Sequence, residues 1–427
     1  MRKILASVAL ENQNSVKTFK TLSLEEEQLV MAEANEINNE VENGLSEADR
    51  LTDVVDTLED LAVVTDKIEE ATPVELNLID AVASMAVAGS EVDSEKVIPA
   101  MESFKGKKIA TESFVQRAKD IWATVQRFLA KIRDNIILFF KKMFSTIPNL
   151  QQKVSDLQKK LETRADDNTE NNIEILAGIS YLSVDGSVSK DQAELLKNLK
   201  DLQKLSEEVF VEYPRVTTAF SNAVVTGMRD FDPADPEVAA TKAVKALFTA
   251  VSAISTDATK KQHFLGNNAV TVNVELVKTS NPHAQLASYL NFKAKVEKST
   301  KATETSSVKY TAFSKKECKD LLDTVEKILS VMDKFDDIFK HDIEKASKAV
   351  EDATKAMATK QTAFESTEKD SAKLEKAHVM YRTFADFNKT ITHQMNSPYS
   401  ALISNNVSVI NTILMAVNKS MVGLAEK

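Results

Sequence analysis

The chain has 427 residues, 43% hydrophobic and 28% charged, a composition that excludes wholesale disorder and suits a folded protein. Only 8 Gly and 8 Pro punctuate it, which favours long helices over turns, and one cysteine, Cys318, excludes an intrachain disulfide. The net charge of −10 is unevenly divided: residues 1–102 hold 7 basic and 23 acidic side chains, a net of −16, so residues 103–427 carry +6.

The N-terminus, MRKILASVALE, has an apolar run from Ile4 to Leu10 that is short for a secretory signal and meets Glu11 without a cleavage site. No run reaches the roughly 18–20 apolar residues of a membrane span. The nearest, Tyr399 to Leu424, is interrupted by Asn405, Asn406, Asn411, Asn418 and Lys419, so the expectation is a soluble protein.

Within the acidic part, Leu29, Ala32, Ile37, Val41 and Leu45, then Leu51, Val55, Leu58 and Leu61, recur at helical spacing. Phe19 is the only aromatic residue there, so these helices have little bulk for a core and are expected to need a partner surface. The small, uncharged stretch AVASMAVAG, Ala81 to Gly89, followed by SEVDSEKVIP, reads as a linker. A short repeat comes next, AMESF at Ala100–Phe104 and ATESF at Ala110–Phe114.

From Phe114 to Phe144 apolar residues fall at Phe114, Ala118, Ile121, Val125, Phe128, Ile132, Ile136, Phe139 and Met143, one face of a helix about 46 Å long. Trp122, Leu129 and Phe140 widen this stripe, and Arg117, Lys119, Arg127, Lys131, Arg133, Lys141 and Lys142 form a basic face. Three uses compete for it: a core helix with a solvated basic side, a helix on a membrane surface, and electrostatic contact with nucleic-acid phosphates.

Ser145-Thr146-Ile147-Pro148 predicts a break, with Pro148 opening a helix marked by Leu150, Val154, Leu157 and Leu161. Ile173 to Val211 predicts two helices around the turn VDGSVSKDQ, capped by Ser187 or Ser189. Asp235, Pro236 and Glu237 read as a helix start running to about Ile254. NAVTVNVEL (Asn268–Leu276), FKAKVEKS (Phe292–Ser299) and VKYTAF (Val308–Phe313) predict a small antiparallel insertion. Ser314-Lys-Lys-Glu317 is a capping box ahead of a helix with Leu321, Leu322, Val325, Leu329, Met332, Phe335 and Phe339 on one face. Lys345 to Lys376 reads as a solvated helix pair, and the C-terminal stretch with Leu402, Val407, Ile410, Ile413 and Val417 closes the bundle.

Chemistry is hard to place. The five histidines lack metal-ligand spacing, so no metal or cofactor is expected. The acidic run Asp230, Asp232, Asp235 and Glu237 lacks the central Gly of a calcium loop, and there is no phosphate-binding Gly loop or nucleophile elbow. Cys318 has no sequence-local base. The expectation is a protein that is not an enzyme, with no catalytic residues.

The order of acidic leader, ESF, aromatic basic helix (FVQRAKDIWATVQRFLAKIRDNIILFFKKMFSTIPNLQQKVSDL) and a later SKKE helix resembles the internal head, or inner body, proteins of phiKZ-like giant tailed bacteriophages. The resemblance is best over Ala100 to Leu161. It implies a structural protein of the capsid interior, packaged with the genome, and present in the host cytoplasm during assembly. It also implies removal of the propeptide by a phage prohead protease that cuts after Glu in S/A/G-x-E sequences. Glu102, Glu112 and Glu91 fit that pattern, as do Glu36, Glu304 and Glu365, and position in the linker favours Glu102 and Glu112. Some members are delivered into the host with the DNA. Implied partners are the protease, packaged DNA through non-specific charge, and other inner-body and capsid proteins. Membrane contact through residues 114–144, as part of a host-directed effector, is the competing expectation.

The expected fold is mainly α, an elongated multi-helix bundle with a small antiparallel β insertion at about 265–313. The expected parts are a propeptide (1–102), a cleavage linker (103–113), the basic helix and helical body (114–262), the β insertion (263–313) and a C-terminal bundle (314–427). Removing residues 1–102 would leave a +6 chain, and a cut after Glu112 would leave +4. Either would suit a protein lying among phosphates.

Overall fold

The computed structural model describes residues 24–67, 72–87, 107–164, 172–252, 261–273, 279–303, 305 and 307–422. Three helices come first: α1 (Leu24–Lys67), α2 (Pro73–Val87) and α3 (Lys107–Glu162). A strand β1 (Asn172–Ile175), a 3-10 turn and a hairpin of β2 (Ser183–Val184) and β3 (Ser187–Val188) lead into α4 (Gln192–Glu207), α5 (Tyr213–Asp230) and α6 (Pro236–Val251). The insertion holds β4 (Gln262–Phe264), β5 (Asn268–Asn273), α7 (Pro282–Ser288), β6 (Lys293–Lys298) and β7 (Val308–Thr311). Four helices finish the chain: α8 (Lys315–Ile338), α9 (Glu344–Thr367), α10 (Ser371–Asn396) and α11 (Tyr399–Val422).

Helix α3 organises the rest. At 56 residues it is about 84 Å long. Helix α1 lies along it, and α8, α10 and α11 also pack on it. Its apolar stripe is buried from Phe114 through Met143, with Phe128 half-buried, and burial continues through Ile147, Leu150 and Val154. The helix does not break at Pro148 as the sequence predicts. Proline removes one backbone donor, but both flanks of Pro148, with Ile147 and Leu150 buried, are held in the core, and that packing carries the helix through.

An aromatic cluster joins five segments. The Phe140 ring lies 4.3 Å from Phe339 and 5.8 Å from Phe335, while Phe335 lies 4.8 Å from both Phe210 and Tyr399. Phe210 and Phe339 stand in short π-helical segments, Glu208–Glu212 and Phe339–Ile343, which join α4 to α5 and α8 to α9. The extra residue in a π turn shifts the buried face of the helix that follows, and here each turn delivers a ring to the cluster.

The strands form small antiparallel sheets. Two of the three predicted strands, β5 and β6, pair within the insertion as expected, and β4, which the sequence reading did not mark, adds to the other edge of β5. The third predicted strand, β7, pairs instead with β1, Ile173 opposite Tyr310, and so ties the insertion back to the segment after α3. Ile173 to Val184 is not the helix that periodicity predicts. It holds β1 and a hairpin turned by Asp185 (φ 49°) and Gly186 (φ 86°), the Asp-Gly pair that a two-residue turn with positive φ requires. The cap of α4 is Asp191, accepting from the Glu194 amide, rather than Ser187 or Ser189.

Other elements match more closely. Ser314 and Glu317 form the full capping box of α8, and α6 starts at Pro236 after Asp235, although the Asp235 side chain makes no cap hydrogen bond. The Ala-rich stretch at Ala81 is helical to Val87, because Thr72 and Glu75 cap α2 reciprocally (2.7 and 3.3 Å) and alanine favours the helix that follows. Helix α9 buries Val350, Ala353 and Met357, so it is less solvated than its composition predicts.

One described helical stretch, within Ser371–Met421, is long and apolar enough to cross a membrane by composition, and its apolar window is 72% buried inside the protein. The asparagines that interrupt it are docking points. Asn405 donates to the Leu265 carbonyl (2.9 Å) and accepts from Asn268 (2.9 Å), and Asn406 donates to Ser206 Oγ (2.9 Å). Gly266 (φ 101°) permits this contact, since a Cβ there would lie 1.7 Å from Asn405 Oδ1.

Candidate interface of the acidic leader with the cationic body

Helix α1 is the acidic leader in folded form. Its apolar spacing turns Val41, Leu45, Leu51, Val55, Leu58 and Leu61 inward, all 7% exposed or less, while Leu29 stays 60% exposed. No aromatic side chain is present in α1, so the two helices approach closely. At Gly44 a Cβ would meet Ile132 Cγ1 at 3.1 Å and Phe128 Cζ at 3.7 Å. The thin, ring-poor leader predicted from sequence finds its partner surface in α3 of the same chain.

Carboxylates along the edge of this seam reach cations of the body. Glu33 meets Lys142 of α3 at 2.5 Å, and Glu40 accepts from Asn135 at 3.4 Å. Further along, Asp49 meets Lys389 (3.2 Å) and His393 (3.3 Å), Asp56 meets Arg382 (2.9 Å), and Glu59 meets His378 (3.1 Å) and Arg382 (3.4 Å). The acids ascend the leader as the cations descend α10, an antiparallel ladder. The Arg382 guanidinium also lies 3.8 Å from the ring centroid of Trp122, so it is sandwiched between leader carboxylates and the α3 indole.

The ladder joins four helices through one relay. Lys119 of α3 meets Glu365 of α9 at 2.9 Å, Glu365 lies 3.8 Å from His378 of α10, and His378 bonds Glu59 of α1. Burial works against a charged His378 ring, but Glu365 and Glu59 outweigh it and raise its pKa to about 9. The His378 hydrogen bond first, then Gln361 and Lys119, outweigh burial and lower the Glu365 pKa to about 2. Burial raises Asp386, 3.9 Å from Arg382, to about 6 against the pull of that guanidinium.

The basic face predicted on residues 114–144 is not one continuous solvated surface. Lys131, Lys141 and Arg127 are exposed, with Arg127 turned back to Thr124 (3.2 Å), and Arg117 is half-buried. Lys119 and Lys142 are paired as described. Arg133 departs from the expectation entirely: its side chain is 6% exposed and bonds Glu351 (2.8 Å) and Asn388 (2.7 Å). It flanks the apolar stripe beside Leu129 and Ile136, so packing α9 and α10 on α3 desolvates it. Membrane contact through this segment would need its apolar face free, and that face is buried in the protein.

Of the candidate cleavage positions, Glu91 and Glu102 lie outside the described residues, as do AMESF and residues 103–106 of the predicted cleavage linker, whose residues 107–113 open α3. Glu112 lies in the second turn of α3. Glu36 and Glu365 also stand on helices, α1 and α9. Cys318 is buried, and burial followed by the Glu317 charge pushes its thiol up to about 12, which removes nucleophilic character. Two surface grooves, one beside Phe248 and Tyr289 and one between α5 and α6, each carry a single charged side chain, Lys245 and Arg215. Among the described residues no group of three metal-ligating side chains converges.

The residues that sequence reasoning missed are Asp49, Asp56 and Glu59 and their partners His378, Arg382, Lys389 and His393. A signal was present, since steps of four, seven and four put the four basic groups on one face of α10. What that face meets lies more than 300 residues away in sequence.

A family model of phiKZ-like phage internal head proteins matches residues 25–419. No curated protein and no solved structure matches the chain.

Proposed function

The chain belongs to the phiKZ-like phage internal head proteins, and on that premise we propose that it enters the capsid with its acidic leader, loses it to the phage prohead protease, and lies as a cationic helical body among the packaged genome. Membership makes it a structural component of the phage head interior. The protease, the DNA and neighbouring head proteins are the partners this reading adds.

The observation that carries the reading is where the leader's charge sits. Residues 1–102 hold −16 and the rest +6, and the described part of the leader lays its carboxylates on Lys142, Arg382, Lys389 and two histidines of the body. With the leader attached, the chain as a whole is repelled by phosphate. Without it, those cations are released to counter phosphate charge and the long-range sign reverses.

The cut falls after Glu102 or Glu91. A protease binds extended backbone, and Glu112, Glu36 and Glu365 are held in helical hydrogen bonding that a protease would first have to unwind. Mass spectrometry of purified virions tests this. The expected N-terminus is Ser103 or Val92, and a full-length Met1 start in mature heads overturns the reading.

A further inference from the structure

We propose that cutting and removal of the leader are separate events: the cut leader stays seated on the body as a non-covalent second chain, and its groove takes no other partner until that helix is displaced or destroyed. The proposal rests on the reading that the chain is cut between α2 and α3.

Among the described residues, the contacts that seat α1 on the body are made by α3 and α10. The seam is apolar, long and closely approached at Gly44, and the charge ladder fixes its register. Asp49 and Glu59 are ten residues apart, and their partners Lys389 and His378 are eleven apart, so about 15 Å of one helix is matched to about 16 Å of the other. Arg382, only 7% exposed, takes its leader partners from both Asp56 and Glu59, so one buried guanidinium reads two successive turns of α1. Cutting the linker lowers only the effective concentration of the leader at its seat.

The groove also selects its occupant. Departure of α1 would uncover the α3 stripe around Ile132 and Phe128 together with the cations of α10. That combination fits an acidic amphipathic helix without rings, which is the chemistry of residues 24–67. A nucleic-acid strand would meet the cations but leave the apolar floor uncovered. The eviction step is therefore distinct from the cut, and unwinding or digestion of α1 itself would supply it.

The test uses the full-length chain with a site for a sequence-specific protease placed within residues 88–106, cut in solution and run on gel filtration in physiological salt. The expected result is one species holding leader and body in equal amounts. A parallel chain carrying Asp49→Asn, Asp56→Asn and Glu59→Gln, shown by circular dichroism to keep its helices, should lose its cut leader at least about tenfold faster, since unpairing desolvated charges acts on dissociation. A wild-type leader that elutes apart from the body overturns the proposal. Equal loss rates in the two chains overturn the ladder's part in it. An uncut Met1 start in virions would instead remove the processing reading and leave the solution result standing.

Discussion

Helices α1 and α11 are both long and both packed on α3, yet they are attached in different ways. Helix α11 is buried on nearly every side, exposing only Asn418 and Lys419 among its described side chains, and its polar residues are docking points for other elements. Helix α1 buries one stripe and keeps its carboxylates on the rim, where they meet cations in ones and twos. The first arrangement makes an element that cannot leave without unfolding its neighbours. The second makes a strap, whose loss uncovers a surface but leaves the aromatic cluster around Phe140 and Phe335 in place.

Mutations should separate the two attachments by size and by reach. Phe140→Ala empties the cluster and should destabilise the whole chain by about 3–5 kcal/mol, read as a lowered melting midpoint with protection lost throughout. Glu351→Ala removes the ion-pair partner of buried Arg133, leaving its hydrogen bond to Asn388, and should cost about 3 kcal/mol, again across the body. Gly44→Leu forces a side chain against Ile132 and should cost roughly 1–3 kcal/mol, with hydrogen exchange rising in 24–67 and little in α11. A body-wide loss in that last variant would erase the distinction between strap and core.

A rise in pH should act on the strap and on the α9–α10 contact of the same relay, and less strongly. His378 is held above its usual range, so its contribution is complete below about 6.5 and is lost as pH rises through about 9. Exchange in α1 should therefore rise between neutral pH and pH 10, and His378→Gln should flatten that response. The smallest effect is expected for Asp49→Asn, where both partners are part-exposed: about 0.2–1 kcal/mol, weaker still in high salt.

Much of this was legible in the sequence because α3 states its face plainly. Nine apolar positions at steps of three or four can be satisfied only by a buried stripe, and the capping box at Ser314 and the β-branched run at Asn268 are equally local signals. The misses share a cause, which is that tertiary contact overrode a local preference. Pro148 passes through a helix because burial on both its flanks supports it. Tyr310 leaves its sheet to pair with Ile173, a choice no window of sequence reveals. Arg133 reads as solvated until α9 brings Glu351 to it. The charge split was visible, but that Asp56 would stack against an arginine on Trp122 was not.

The central claim is that the leader masks a body suited to lie among phosphates. Affinity for random-sequence duplex DNA, measured across a range of salt, tests it when the full-length chain is compared with the same chain after its leader has been cut and removed. Binding should be weak for the first, and for the second tighter and falling steeply as salt rises. Equal affinities and equal salt slopes would contradict it.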